Sequence, residues 1–292
     1  MRILVSGASG FVGAPLCQYL TAQGHTVVPL VRRAKPNAVV WDPQGGKAVP
    51  SEFEGFDAVI HLAGDPLTLS RWGQRKKKKI LFSRTVSTWF LSHLLSTLIR
   101  PPKVFLCASA FGYYGDRGEE LLDETSSPGN LFLSRVCVEW EKASQSLENR
   151  GARVLHTRFG IVLGPGGALK KMVFFYRLGL GAILGSGQQW VSWIHRHDLI
   201  HALSHLLLHT TLEGPINLVS PYPVRQRDFS HALAHQLHRP ALFRIPAPLL
   251  RLLLGESADN MLLASARVAP VRLLASGFNF KYPLLTDALD KI

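Results

Sequence analysis

The chain has 292 residues and is short of cysteine, acid and long apolar runs. Cys17, Cys107 and Cys137 are far apart, odd in number, and set in apolar neighbourhoods without metal-ligand spacing. That pattern excludes a disulfide framework and predicts reduced, buried thiols in a cytoplasmic protein, with no metal site. No apolar stretch reaches the roughly 18 residues of a membrane span. The longest candidate, 86–99, is broken by Ser87, Thr88, Ser92, His93, Ser96 and Thr97. It reads as a packed helix, and no membrane partner is expected. The first residues read as a buried strand rather than a signal peptide.

Acid is scarce, with 20 Asp and Glu against 33 Lys and Arg, a formal charge of +13. Such an excess invites a nucleic-acid or anionic-membrane reading. Its sharpest feature is the block Lys76-Lys77-Lys78-Lys79. The block sits inside a helical pattern and reads as a solvated face. No helix-turn-helix, zinc finger or aromatic-interleaved basic strand accompanies it, so nucleic acid is not the expected partner.

What the chain does have is a strand that runs directly into spaced glycines: Arg2-Ile-Leu-Val-Ser-Gly7-Ala-Ser9-Gly10-Phe11-Val12-Gly13. The run Ile3–Val5 reads as a buried parallel strand, and a helical pattern continues through Leu16 and Leu20 to Gly24. A strand, a glycine turn and a helix N-terminus form a cradle for a diphosphate, because backbone N–H groups and the helix dipole both favour an anion there. Gly7 would permit the turn, Gly10 the approach of phosphate, and Gly13 the packing of helix on strand. The next strand, 26–31, ends in Arg32-Arg33, where an arginine accommodates the 2′-phosphate of NADP. A third short apolar strand, Asp57 to Leu62, ends in the small residues Ala63 and Gly64, which let a cofactor lie against the backbone.

Strand and helix patterns alternate. Strands are predicted at 2–6, 26–31, 57–62, 103–109 and 153–159, with a short one at 39–41. Helices are predicted at 11–23, 73–99 and 131–150. This predicts an α/β fold, a Rossmann-type doubly wound parallel sheet with a smaller C-terminal substrate-side lobe. After Gly160, Pro and Gly punctuate the chain, with helices near 197–210 and 227–236. The division expected is an NADP-binding domain at 1–160 and a substrate-side lobe at 161–292, with Rossmann elements interleaving up to about residue 220.

Several ordered islands carry a resemblance. They are Gly7 to Gly13, His61-Leu-Ala-Gly64, Arg71-Trp72, Ser83-Arg84, Ser109-Ala-Phe-Gly-Tyr-Tyr-Gly115 and Trp140-Glu141. Further on come Arg158 to Gly164, Gly185-Ser-Gly187-Gln-Gln-Trp190, Trp193-Ile-His195-Arg-His-Asp198 and the tail Pro270 to Pro283. From end to end the chain resembles the extended short-chain dehydrogenase/reductases and, within them, the YfcH-like NAD-dependent epimerase family with its small C-terminal domain. The resemblance implies bound NADP (NADPH). Its contacts would come from the turn (Gly7, Ser9, Gly10, Phe11, Val12, Gly13), from Arg32 with Arg33, and from Leu62, Ala63 and Gly64. Lys79 and Arg84 would reach the cofactor and Ile161 would close over its nicotinamide side. A homodimer through paired long helices is common in that superfamily.

The superfamily's hydride chemistry uses a tyrosine, a lysine four residues later and a serine. Ser109 stands at the strand end where that serine belongs. The helix 131–141 contains no tyrosine and no correctly spaced lysine. Tyr113 or Tyr114 could donate the proton in place of the missing tyrosine, with Tyr114 the named candidate, and Arg135 could replace the lysine charge. Asp198 reads as a helix cap, and His195 as structural. Two functions therefore stand open: an oxidoreductase or epimerase on a small carbonyl or sugar-nucleotide-like substrate, or an NADP-binding protein with little turnover.

Overall fold

The computed structural model describes residues 1–208 and 211–290. The strands are β1 (Arg2–Ser6), β2 (Thr26–Val31), β3 (Val39–Asp42), β4 (Lys47–Ala48), β5 (Ala58–His61) and β6 (Val104–Ala110). They join Arg153–Phe159 and Gly214–Leu218 in one eight-stranded sheet. From the edge at Gly214–Leu218 the order runs through Arg153–Phe159, β6, β5, β1, β2, β3 and β4. All neighbours are parallel except β3 with β4. The chain leaves β1 towards β2 on one side and returns to β5 on the other. That reversal opens a crevice at the carboxyl ends of β1 and β5, where ligands bind in open α/β sheets.

Alternate strand residues serve opposite layers. Ile3, Val5, Ala58 and Ile60 pack with Leu16 and Leu20 of α1 (Gly13–Ala22), and with the helix Arg196–Leu208. Leu4, Val59 and Phe105 pack with Leu91, Leu94 and Leu95 of α2 (Gln74–Ser96) and with Trp140 of α3 (Phe132–Lys142). Burial of each such leucine contributes about 1.5–3 kcal/mol. The doubly wound architecture is therefore present. The strand Gly214–Leu218 brings a segment beyond residue 160 into the same sheet.

Local departures from the sequence reading have physical reasons. The pattern 131–150 is two helices, Phe132–Lys142 and Gln145–Glu148. Ser144 breaks it: its hydroxyl donates to the Glu141 carbonyl and its own carbonyl accepts from Ser92. The helix predicted near 197–210 runs Arg196–Leu208, and its last two positions lie outside the described residues. Cys107 and Cys137 are buried, whereas Cys17 is half-buried. No helix among the described residues is long and apolar enough to cross a membrane.

The buried carboxylate of Asp198 is one of the anchors of the tail. Asp198 accepts the Lys281 N–H at 3.0 Å and the Tyr282 N–H at 2.9 Å. It does not act as the expected helix cap; His195 does, its Nδ1 accepting the His197 N–H at 3.2 Å. Asp198→Ala is expected to lower unfolding stability in urea by about 2–3 kcal/mol, since two N–H donors lose a charged acceptor. A change below about 0.5 kcal/mol, the range of an ordinary surface substitution, would disprove the docking role.

Candidate functional site

The crevice is held by a serine and a histidine. Ser6 Oγ lies 2.7 Å from His61 Nδ1 and accepts the N–H groups of Leu62 and Ala63 at 3.1 and 3.2 Å. With both lone pairs used, Ser6 must donate its hydrogen to Nδ1. His61 is thus the neutral Nε2–H tautomer, with Nε2 3.5 Å from Ser87 Oγ. Burial pushes its pKa down to about 4, so the ring is neutral at neutral pH in the native state. The bridge ties the end of β1 to the end of β5 and sets the course of Leu62, Ala63 and Gly64 over the turn.

The turn itself needs its glycines. Gly7 has φ +69°, and a Cβ there would meet the Leu62 carbonyl carbon and oxygen at 3.0 Å. A Cβ on Gly13 would stand 2.1 Å from the Gly7 carbonyl oxygen, so the helix can start this close to the strand only with glycine. Around Gly10 a Cβ would meet only the Gly7 carbonyl, and Ser9 and Gly10 are exposed. The first turn of α1 has no side-chain cap. The Ala14 N–H donates to the Gly10 carbonyl at 3.0 Å and the Leu16 N–H to the Val12 carbonyl at 3.1 Å, and Pro15 has no N–H, so the Gly13 N–H is the first-turn donor left uncommitted among the described residues. Phe11 points away, its ring touching the places a Cβ would take on Gly166 and Gly167, with the Arg196 guanidinium 4.9 Å from its centroid. Val12 is half-buried and heads the helix.

Arg32 and Arg33 follow β2 and are exposed; among the described residues neither guanidinium has a hydrogen-bond or ion-pair partner. Leu30 pairs with Ser6, which brings Arg32 to the level of the turn. Arg84 lies against Gly64, 3.6 Å from the position of its Cβ, and donates to the Asp65 and Ile80 carbonyls. Lys79 is less free than the sequence suggests, because it pairs with Asp65 at 2.9 Å. Lys76 shares the same carboxylate at 2.8 Å, and Lys77 pairs with Glu256 at 2.6 Å. The lysine block, read as a solvated face, is largely neutralised. Ile161 is half-buried at the start of a short strand that runs beside Trp193–His195.

Where the superfamily's proton chemistry would sit, the structure holds a buried polar chain. Ser109 Oγ donates to Glu141 Oε1 at 2.7 Å. Arg158, 2% exposed and paired in register with Ser109, forks onto Glu141 through Nε at 2.9 Å and Nη2 at 2.8 Å. Its Nη1 reaches Tyr114 Oη at 3.0 Å, and Tyr114 donates to Asn217 Oδ1 at 2.7 Å. The Asn217 N–H in turn donates to Glu124 at 3.0 Å.

The candidate proton donor Tyr114 is therefore fully buried, its hydrogen committed, its pKa pushed up to about 12 by burial. This geometry speaks against it as the donor. Arg135 is exposed, and among the described residues its guanidinium donates only to the Asn130 carbonyl, at 3.4 Å. Glu141 and Asn217 carry no role in the sequence reading. Their signal was Arg158, a charge inside a buried strand that must find partners.

With this geometry in hand, comparison with known proteins is decisive. Residues 3–224 match the NAD dependent epimerase/dehydratase family. The chain belongs to that family. Residues 245–292 match a domain of unknown function, DUF1731, which accords with the small C-terminal domain expected. The chain is similar to Epimerase family protein Mb2239 of Mycobacterium bovis, 37% identical over 98% of this chain and 96% of that protein. It is also similar to the crystal structure of human epimerase family protein SDR39U1 (isoform 2) with NADPH, with TM-score 0.92 and 33% identity over 100% and 99% of the two chains. The UDP-glucuronic acid 4-epimerase of Bacillus cereus, at 17% identity and TM-score 0.81 over 100% and 97% of the two chains, shares the fold.

The His61 bridge has a pH signature. Its folded pKa of about 4 lies below the ordinary 6.5, so the unfolded chain binds more protons between these values. Stability from the neutral ring is complete above about pH 6.5 and falls, by up to about 3 kcal/mol, as pH drops towards 4. His195 is also lowered to about 4 by burial and adds to the slope. Urea denaturation against pH should show His61→Gln with a shallower acid loss than the parent chain. Identical slopes would remove the buried neutral histidine from the account.

Proposed function

We propose that this chain binds NADPH across the carboxyl edge of its sheet and is an epimerase-like or reductase-like protein for a small carbonyl or sugar-nucleotide-like substrate. The observation that carries the cofactor is the pairing of an uncapped α1 N-terminus at an open glycine turn with two unpartnered arginines at the tip of β2. In this reading Gly7, Ser9, Gly10, Phe11, Val12 and Gly13 hold the diphosphate, and Arg32 with Arg33 takes the 2′-phosphate. Leu62, Ala63 and Gly64 lie beneath the adenine-side portion, Arg84 with Lys79 borders it, and Ile161 closes the nicotinamide side. The human relative's structure with NADPH supports the choice of cofactor. Residues 1–160 would serve the cofactor and 161–292 the substrate.

When bound, the nicotinamide supplies or accepts a hydride. The chain's part is to orient and to move protons. Ser109 gives its hydrogen to Glu141, so it presents lone pairs at the strand end and would accept a hydroxyl rather than donate to a carbonyl. A second reading, cofactor binding with little or no turnover, is favoured by that geometry and by the absence of tyrosine from α3.

Arg32→Ala is expected to weaken NADPH about 10- to 100-fold and leave NADH within about twofold, since one charge-assisted contact is lost. Fluorescence titration of both nucleotides reads this, and equal loss for the two would refute the phosphate assignment. Tyr114→Phe should leave NADPH affinity and any NADPH consumption across a carbonyl panel unchanged while costing about 1–3 kcal/mol in stability. Loss of turnover at full affinity would instead restore Tyr114 to the chemistry.

A further inference from the structure

The helix Gly167–Arg177 turns one face inward and leaves the other uncovered. Leu169 and Tyr176 are buried, and Met172 and Val173 pack half-buried against the cluster around Phe229 and Leu233. On the outer side Phe174 and Phe175 are 59% and 52% exposed, and Leu178, just past the helix, is 59% exposed. Lys170, Lys171 and Arg177 are exposed beside them. At 3.6 residues per turn these six side chains fall within an arc of about 160°.

The surface continues beyond the helix. Leu180 is exposed in the turn that follows. The strand Ala182–Leu184 pairs with Phe243–Ile245, where Leu242 and Phe243 are exposed. Arg239 joins the two parts through the Arg177 carbonyl, and Arg244 donates to Gly185 and Ser186. Among the described residues none of these five cations has a carboxylate partner. The sequence explains why: no Asp or Glu occurs between Glu148 and Asp198, or between Asp228 and Glu256.

Large exposed apolar side chains interleaved with unpaired cations, with no acid among them, select the occupant. A second copy of the chain in a twofold arrangement would set this basic face upon itself. An apolar partner would leave the cations unanswered. A surface that offers negative headgroups above an acyl boundary answers both features.

We propose that the face formed by the helix Gly167–Arg177 and the strand Phe243–Ile245 lies on the surface of an anionic lipid bilayer. Phe174, Phe175 and Leu178 enter the acyl boundary while Lys170, Lys171 and Arg177 meet the headgroups. A helix lying in the interface needs no spanning segment, so the lack of a membrane span does not conflict with it.

Vesicle flotation of the full chain tests this with phosphatidylcholine alone and with phosphatidylcholine containing phosphatidylserine. The protein is expected to float with the anionic vesicles only. Phe174→Ser with Phe175→Ser should lower partitioning about tenfold or more. Lys170→Gln and Lys171→Gln should each lower it roughly fivefold. Circular dichroism melts of the variants confirm that they fold; the lysine variants, which alter only exposed positions, stand if the phenylalanine pair does not. No flotation with phosphatidylserine overturns the proposal, as does flotation that both sets of variants leave unchanged. Release by soluble polyglutamate with no effect of the phenylalanine changes would assign the face to an acidic protein and equally overturn it.

Discussion

Ser6 has one hydrogen to give and two lone pairs to receive, and the crevice uses all three. Leu62 and Ala63 take the lone pairs, and His61 takes the hydrogen. A neutral ring buried between strands can serve in this way because its other nitrogen has a hydroxyl within reach on α2. The consequence extends to the turn. The strand end that runs over Gly7 has its Leu62 and Ala63 N–H groups committed to Ser6, and the Gly10 N–H closes onto the Gly7 carbonyl, so the turn donors left without an internal partner among the described residues are those of Ala8, Ser9, Phe11, Val12 and Gly13. The same positioning brings the Leu62 carbonyl so close that Gly7 has no room for a side chain. Strand register, glycine spacing and donor availability are thus three expressions of one buried bridge.

A second buried system lies two strands away. Arg158 is a full charge inside the sheet, and its burial is tolerable only because Glu141 answers it with both oxygens. The pair also decides what Ser109 can do, since the carboxylate oxygen that faces the arginine draws in the serine hydrogen. Tyr114 closes the other side of the guanidinium and is thereby removed from solvent. The position that resembles a reductase centre in sequence is, in space, the end of a structural ion pair. Among the described residues one carboxyl oxygen of Glu124 is buried without a partner at the far end of this chain, and burial raises its pKa.

How much of this was legible beforehand follows from the range of each interaction. The strands Arg2–Ser6 and Thr26–Val31 announce themselves as apolar runs beside turn signals, and their parallel order follows from the helices between them. The Gly7–Gly13 turn is local, so spacing alone locates it. Glu141 and Arg158 are 17 residues apart and Tyr114 and Asn217 are 103 apart, so nothing local links them. Asp198 reads as a cap because the tail it holds is more than 80 residues away. The short pairs Ile161–Leu163 with Trp193–His195, and Ala182–Leu184 with Phe243–Ile245, are too brief to show a period.

The charge excess shows the same contrast between count and placement. Four consecutive lysines are its most visible sign in the sequence, yet three of them face Asp65 or Glu256. Burial raises the pKa of Asp65, but the two lysines that share it outweigh this and hold it below its usual value. What remains unanswered among the described residues is dispersed, and includes two arginines at the tip of β2 and a set around the helix Gly167–Arg177, where acid is missing for long stretches. A net charge counts side chains, whereas a field acts from those without partners. Here the pairing takes the lysine block out of the effective positive charge and leaves arginines at the tip of β2 and cations beside the exposed Phe174 and Phe175 among the unpaired ones.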